Sequence, residues 1–145
     1  MSPLSLMALL AGACIAIQAA MNAQLGLALN SSVKATGYAF FTSFLLVAMI
    51  GMTQWQPLPE NFAQRAPWYT WFSFVFSVVG VASFYYLIPK MGVGNMMSYA
   101  LTGQIILAMV ISHFGLFASP VKLINNTKLI GMLLMVVGII LINRD

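Results

Sequence analysis

Two carboxamide side chains, Gln18 and Asn22, lie four residues apart inside an uncharged apolar run over residues 4–29. Side chains at this spacing share one face of a helix, and Cys14 and Gly26 extend the same stripe. A carboxamide that faces lipid leaves its donors and acceptors without partners, which costs several kcal/mol. We therefore expect this face to turn toward other helices or a water-filled cavity, where its amides could hydrogen-bond a bound molecule.

Later apolar runs add further neutral polar side chains at membrane depth. Asn95, Tyr99 and Thr102 share helical spacing, and Gln104 points to a different face of the same helix. The carboxamides could hydrogen-bond neighbouring helices or a substrate, and both interpretations stay open. Tyr85 and Tyr99 could be anchors at the membrane interface or walls of a cavity. The candidates for substrate contact are Gln18, Asn22, Tyr85, Asn95, Tyr99, Thr102 and Gln104.

Charged side chains are missing from every predicted span, so the chain offers no buried carboxylate for proton coupling. His113, the only histidine, follows the fourth span and is either a solvated loop residue or a group that handles protons. Cys14 is the only cysteine, which excludes a disulfide framework and a thiolate metal site. With no acid at depth to complete a catalytic triad, we expect no enzyme, no catalytic residue, no metal and no cofactor.

The composition is that of an integral membrane protein. Of 145 residues, 61% are hydrophobic and only 6% are charged, whereas about a quarter of a soluble domain is charged. The net charge of +4 forms no basic stripe, so nucleic acid is not an expected partner. Loop signals and charges divide the chain into five predicted transmembrane helices in a single membrane domain, residues 1–145. The spans are approximately 4–29, 35–53, 68–88, 95–112 and 129–142.

Basic residues are distributed evenly over the two sides of this five-span topology. Arg65, Lys122 and Lys128 fall on the side of the N-terminus, and the other three fall on the side of the C-terminus: Lys34, Lys90 and Arg144. The positive-inside rule then has no bias to act on. The even count is either a chance balance among six residues or the mark of a protein that inserts in both orientations.

Several segments resemble one known family. Residues 128–142 resemble the closing helix of the drug/metabolite transporter superfamily, with Gly131 and Gly138 on one face. Residues 18–26 resemble the first-helix motif of its short YdcZ-like subfamily of five-helix inner-membrane exporters. Residues 88–92, 103–104 and 113–117 are similar to further motifs of that subfamily. Ser112 stands where the subfamily often has an acid, so an ion-coupling role of that acid does not carry over.

The resemblance implies a multi-pass half-transporter of the bacterial inner membrane. Larger superfamily members have ten helices in two inverted halves, so an antiparallel, dual-topology homodimer would supply the same inverted repeat. Helices 1 and 4 would line a central cavity for a small molecule that is neutral, zwitterionic, or a cation held by aromatic faces. The alternative is a non-transporting membrane subunit or assembly partner of a larger complex, in which the polar residues only join helices. A fully packed helix 1 would favour that alternative.

Overall fold

The computed structural model describes residues 2–54, 57 and 60–144, and these residues form helices and no strand. Short 3₁₀ turns cover Trp68–Phe72 and Leu116–Ala118. The α-helices are α1 (Pro3–Ala28), α2 (Ser32–Thr53), α3 (Phe62–Arg65), α4 (Ser73–Met91), α5 (Val93–Phe114) and α6 (Asn126–Ile142). The chain divides after Lys90 into two compact units.

Within the described residues, four helical segments are long and apolar enough to cross a bilayer. They are Pro3–Ala28, Ser32–Thr53, Trp68–Met91 and Val93–Phe114, the third of which joins the first 3₁₀ turn to α4. Helix α6 has only 17 residues and is about 26 Å long, shorter than the hydrocarbon core of about 30 Å. Lys128 and Arg144 flank it and can extend toward the headgroups. The prediction of an all-α integral membrane protein with five membrane helices is confirmed.

The predicted break over residues 89–94 is longer than the observed one. The sequence indicates that the third span ends at Ile88, before Pro89, but α4 continues through Pro89 to Met91. Proline is compatible with helical φ, and in the last turn its missing N–H removes one hydrogen bond. The interruption falls instead at Gly92, where φ is 84° and a side chain would be strained. Lys90 is therefore part of the last turn of α4 rather than of a loop.

In the first unit, α1 and α2 form a close antiparallel pair through small residues. The buried residues of α1 are Ala19, Ala23 and Gly26, and those of α2 are Ala35, Thr36 and Ala39. A Cβ on Gly26 would lie 3.6 Å from the Cα of Ser32, so the two backbones approach closely there. Small residues allow such an approach, and dispersion contacts then hold the pair in lipid. Gly26 thus belongs to the packing face, although its spacing also placed it on the polar stripe.

A three-residue turn joins this pair. The N–H of Ser31 donates to the carbonyl of Gly26 at 2.9 Å, and Asn30 adopts a left-handed φ of 49°. The Ser31 Oγ accepts the N–H of Lys34 at 3.2 Å and caps α2. Because of this cap, α2 begins at Ser32 rather than at residue 35 as predicted.

In the second unit, α5 and α6 are joined by a segment that folds back against the end of α5. The N–H of Lys122 donates to the carbonyl of Ser112 at 2.9 Å, and the N–H of Ile124 donates to Nδ1 of His113 at 3.1 Å. The Nδ2 of Asn143, just after α6, donates to Oγ of Ser98 at 2.8 Å. The two helices are therefore tied by polar contacts near both ends.

We predict that Gly26→Leu lowers the stability of the protein by about 1–3 kcal/mol, because the added side chain forces α1 away from α2. Gly12→Leu is the matched control, since a Cβ at Gly12 meets nothing within 4 Å. Thermal unfolding of both variants in detergent measures the difference. Equal melting temperatures for the two variants would contradict the assigned packing face.

Candidate functional site

The polar stripe of α1 meets α4 through one hydrogen bond. The Nδ2 of Asn22 donates to the hydroxyl of Tyr85 at 3.0 Å. Tyr85 is buried and Asn22 is half-buried. No Cα of α1 lies within 8 Å of a Cα of α4 in these two fully described helices, so their side chains bridge a gap between separated backbones.

The bridge lies well inside the apolar length of both helices. Asn22 stands six residues before the end of α1 at Ala28, and Tyr85 stands six residues before the end of α4 at Met91. Six residues correspond to about 9 Å along a helix. At this depth little water competes for the donor and the acceptor, so the pair satisfies polar groups that would otherwise be costly.

A cleft of about 500 Å³ opens beside Tyr85 toward the carboxyl ends of α1 and α4. We call it the lysine cleft. Its lining comes from α1, from the turn to α2, and from the last turns of α4. The residues are Gly26, Leu27, Asn30, Ser31, Ser32, Tyr85, Tyr86, Pro89 and Lys90. Its volume is within the range of small-molecule sites, about 300–1,000 Å³.

A second, more open groove of about 320 Å³ runs along the stripe of α1. We call it the α1 groove. Its lining is Cys14, Ile17, Gln18, Met21 and Asn22, all from one helix. Cys14 and Gln18 are exposed, so this part of the polar face borders an open groove within the chain. A groove with a single helical wall needs further contacts before it can enclose a molecule.

The Asn22–Tyr85 hydrogen bond joins the two spaces. Tyr85 lines the lysine cleft and Asn22 lines the α1 groove. The pair thus links a mid-membrane groove that contains Gln18 with a cleft near the end of the helices. Three of the predicted site residues, Gln18, Asn22 and Tyr85, are brought together in this way.

The remaining polar candidates lie on α5, in the second unit. Thr102 donates through Oγ1 to the carbonyl of Ser98 at 2.8 Å, which satisfies it within its own helix. Asn95 is half-buried near the start of α5, whereas Tyr99 and Gln104 are exposed. The lysine cleft and the α1 groove are both lined by residues of the first unit. That helices 1 and 4 of the predicted topology, α1 and α5, line one cavity stays a prediction.

His113 is not a solvated loop residue. It lies in the last turn of α5, because that helix continues to Phe114 and ends at Gly115, where φ is 63°. Its Nδ1 accepts the Ile124 N–H, so this nitrogen carries no proton and holds the following segment. The structure therefore gives His113 a positioning contact.

Sequence reasoning missed the charged member of the site. Lys90 donates to the hydroxyl of Tyr86 and lies 3.6 Å from the centre of the Tyr86 ring. The signal was the spacing of four residues between these two, which puts them on one helix face. The predicted third span, residues 68–88, leaves Lys90 outside the helix. No group of three or more metal-ligating side chains occurs among residues 2–54, 57 and 60–144, which the structure describes.

The comparisons with known proteins give one match. A family model described as "Putative inner membrane exporter, YdcZ" matches residues 3–141. No curated protein matches the chain. No solved structure matches it either. The family match begins at the first residue of α1 and ends at Leu141, one residue before the end of α6.

We predict that Asn22 and Tyr85 are energetically coupled. In a double-mutant cycle with Asn22→Ala and Tyr85→Phe, the coupling should be about 0.6 kcal/mol and at most about 1.7 kcal/mol, as for other hydrogen bonds between membrane helices. Tyr86→Phe replaces Tyr85→Phe in the control cycle and should give no coupling to Asn22. Additive effects in the Asn22–Tyr85 cycle would show that the hydrogen bond is not formed in the membrane.

Proposed function

The chain belongs to the YdcZ family of inner-membrane exporters, and we propose that it carries a small molecule across that membrane by alternating access as an antiparallel, dual-topology homodimer. The family is a class of transporters and not a class of enzymes. Its membership places the chain in the inner membrane, in agreement with the four long apolar helical segments of the described residues.

The Asn22–Tyr85 hydrogen bond is the observation that carries this proposal. It spans two helices whose backbones are not packed together, and in this proposal it closes the passage between the α1 groove and the lysine cleft. A hydrogen bond between membrane helices contributes only about 0.6 kcal/mol on average, so a small displacement of α1 from α4 can break it. Breaking it would connect the groove to the cleft, and polar atoms of the substrate would then take over the freed amide and hydroxyl.

The exposure of Gln18 supports a second copy of the chain as the missing wall of the α1 groove. The Gln18 side chain is exposed in the α1 groove, and every residue that lines this groove comes from α1. A copy related by a two-fold axis in the membrane plane would bring its own α1 groove to the same depth. The even division of six basic residues between the two sides allows the opposite insertion that this pairing requires.

The proposed substrate contacts form two groups. Gln18 and Asn22 would hydrogen-bond the molecule, and the ring of Tyr85 would contact its apolar part. The α5 residues remain proposed contacts: Asn95, Tyr99, Thr102 and Gln104. A proton-handling role for His113 would have to use Nε2, because Nδ1 accepts the Ile124 N–H.

A non-transporting subunit is the alternative that one observation favours. A hydrogen bond between Asn22 and Tyr85 is also what a purely structural contact between two helices looks like. In that case the α1 groove would be covered by a different protein, and Gln18 would hydrogen-bond it.

Gln18→Ala and Asn22→Ala should leave the protein folded and reduce transport per folded molecule by about tenfold, the effect of losing one hydrogen bond to the substrate. The assay first selects small molecules that raise the Tm of the purified protein, then measures their movement into proteoliposomes. Gln24→Ala is the matched control, since Gln24 is an exposed carboxamide of α1 outside the groove. Normal transport by Gln18→Ala and Asn22→Ala, together with reduced stability, would support the structural alternative instead.

A further inference from the structure

The lysine cleft carries a positive charge that its own lining does not balance. Lys90 is the only charged residue among those that line it, and no acidic side chain is among them. The whole chain has two acidic residues, Glu60 and Asp145. Glu60 is not among the residues that line the cleft.

The contacts of Lys90 hold the ammonium group without neutralising it. Its Nζ donates to the hydroxyl of Tyr86 and lies 3.6 Å from the centre of the Tyr86 ring. Both partners are uncharged, and an ammonium group has three N–H donors. Two donors of Lys90 therefore stay free for a group in the cleft, and the Tyr86 ring restricts where the charge can lie.

Neutral donors line the same cleft as this cation. Asn30 contributes a carboxamide and Ser32 a hydroxyl, and both line the cleft. A carboxylate or phosphate offers several acceptor oxygens that match such a set of donors. Tyr85 and Tyr86 add aromatic surface, which favours an anion attached to an apolar or aromatic body.

The helix carboxyl ends near the cleft offset this charge only in part. Each end has a partial charge of about −0.5 from its last carbonyls. For α1, the carbonyls of Leu25, Gly26 and Leu27 already accept hydrogen bonds from Leu29, Ser31 and Asn30. The first turn of α2 faces the same cleft with the opposite sign, because Ser31 and Ser32 stand at its amino end.

We propose that the lysine cleft binds the anionic end, a carboxylate or phosphate, of a compound with an apolar or aromatic body. This inference rests on the proposed function, in which that compound is the exported molecule. It revises the substrate class expected from the sequence, where Lys90 was assigned to a loop and the site was taken to be uncharged. The same anionic chemistry is present in the headgroup of an acidic lipid, so the test separates the two sources.

The experiment compares three probes on the purified protein in a non-ionic detergent. They are 2-naphthoate, its neutral analogue 2-naphthamide, and short-chain dioctanoyl phosphatidylglycerol. Thermal stabilisation as a function of probe concentration gives an apparent Kd for the wild type, Lys90→Gln and Lys90→Arg. Lys34→Gln is the matched control, because Lys34 lies on the same side of the predicted topology but does not line the cleft.

We expect 2-naphthoate to bind the wild type, Lys90→Arg and Lys34→Gln alike, and to bind Lys90→Gln about fivefold more weakly, as for a partly exposed ion pair. Added salt should weaken its binding to the wild type but not to Lys90→Gln. Binding of 2-naphthamide should be the same for all variants. The salt effect is specific to a charge contact, so a fault in the folding of Lys90→Gln cannot reproduce it.

Two results overturn the inference. If only phosphatidylglycerol binding depends on Lys90, the anion is a lipid headgroup and the exported compound does not use the cleft. If no probe depends on Lys90, the cleft has no anion site. Binding in detergent is measured without transport. If Gln18→Ala and Asn22→Ala leave transport unchanged, the proposed function is excluded, but a positive binding result still stands.

Discussion

The bilayer requires every polar group at membrane depth to find a partner, and the structure depends on how α1 meets this requirement. Asn22 meets it with Tyr85 of α4, whereas Gln18 remains exposed in a groove that α1 alone lines. One hydrogen bond therefore links the linings of the α1 groove and the lysine cleft, and one carboxamide remains free to bind a further molecule. Both features come from two residues four positions apart. The proposed transport path, the second copy and the anion site are all extensions of this arrangement.

Much of the fold could be predicted, because the cost of burying charge in lipid fixes where helices lie. Uncharged apolar runs identified the membrane helices, and the spacing of Gln18 and Asn22 identified the stripe on α1. Tyr85 was also among the candidates, as an anchor at the membrane interface or as an aromatic wall of a cavity. Its pairing with Asn22 could not be predicted, because it depends on the distance between α1 and α4.

The errors lie at helix ends, where single hydrogen bonds decide the outcome. Proline did not end α4, since the last turn tolerates it, and Lys90 was consequently missed as part of the cleft. His113 was placed in a loop, although no helix breaker precedes Gly115 and a backbone N–H of the next segment binds its ring. Hydropathy patterns carry no information about the position of Lys90 in the cleft or about the hydrogen bond to the ring of His113.

Cross-linking through the native Cys14 tests most directly whether two copies meet across the α1 groove in opposite orientations. Cys14 is near the middle of α1, so in an antiparallel pair its two copies differ in depth by only about 5 Å. Met7 lies on the same helix face, and two copies of a cysteine that replaces it would differ in depth by about 25 Å. With a short bifunctional thiol reagent in native membranes, the account predicts a covalent dimer from the unmodified protein and none from Met7→Cys in a Cys14→Ser background. No dimer through Cys14, or equal dimer from both positions, would contradict it.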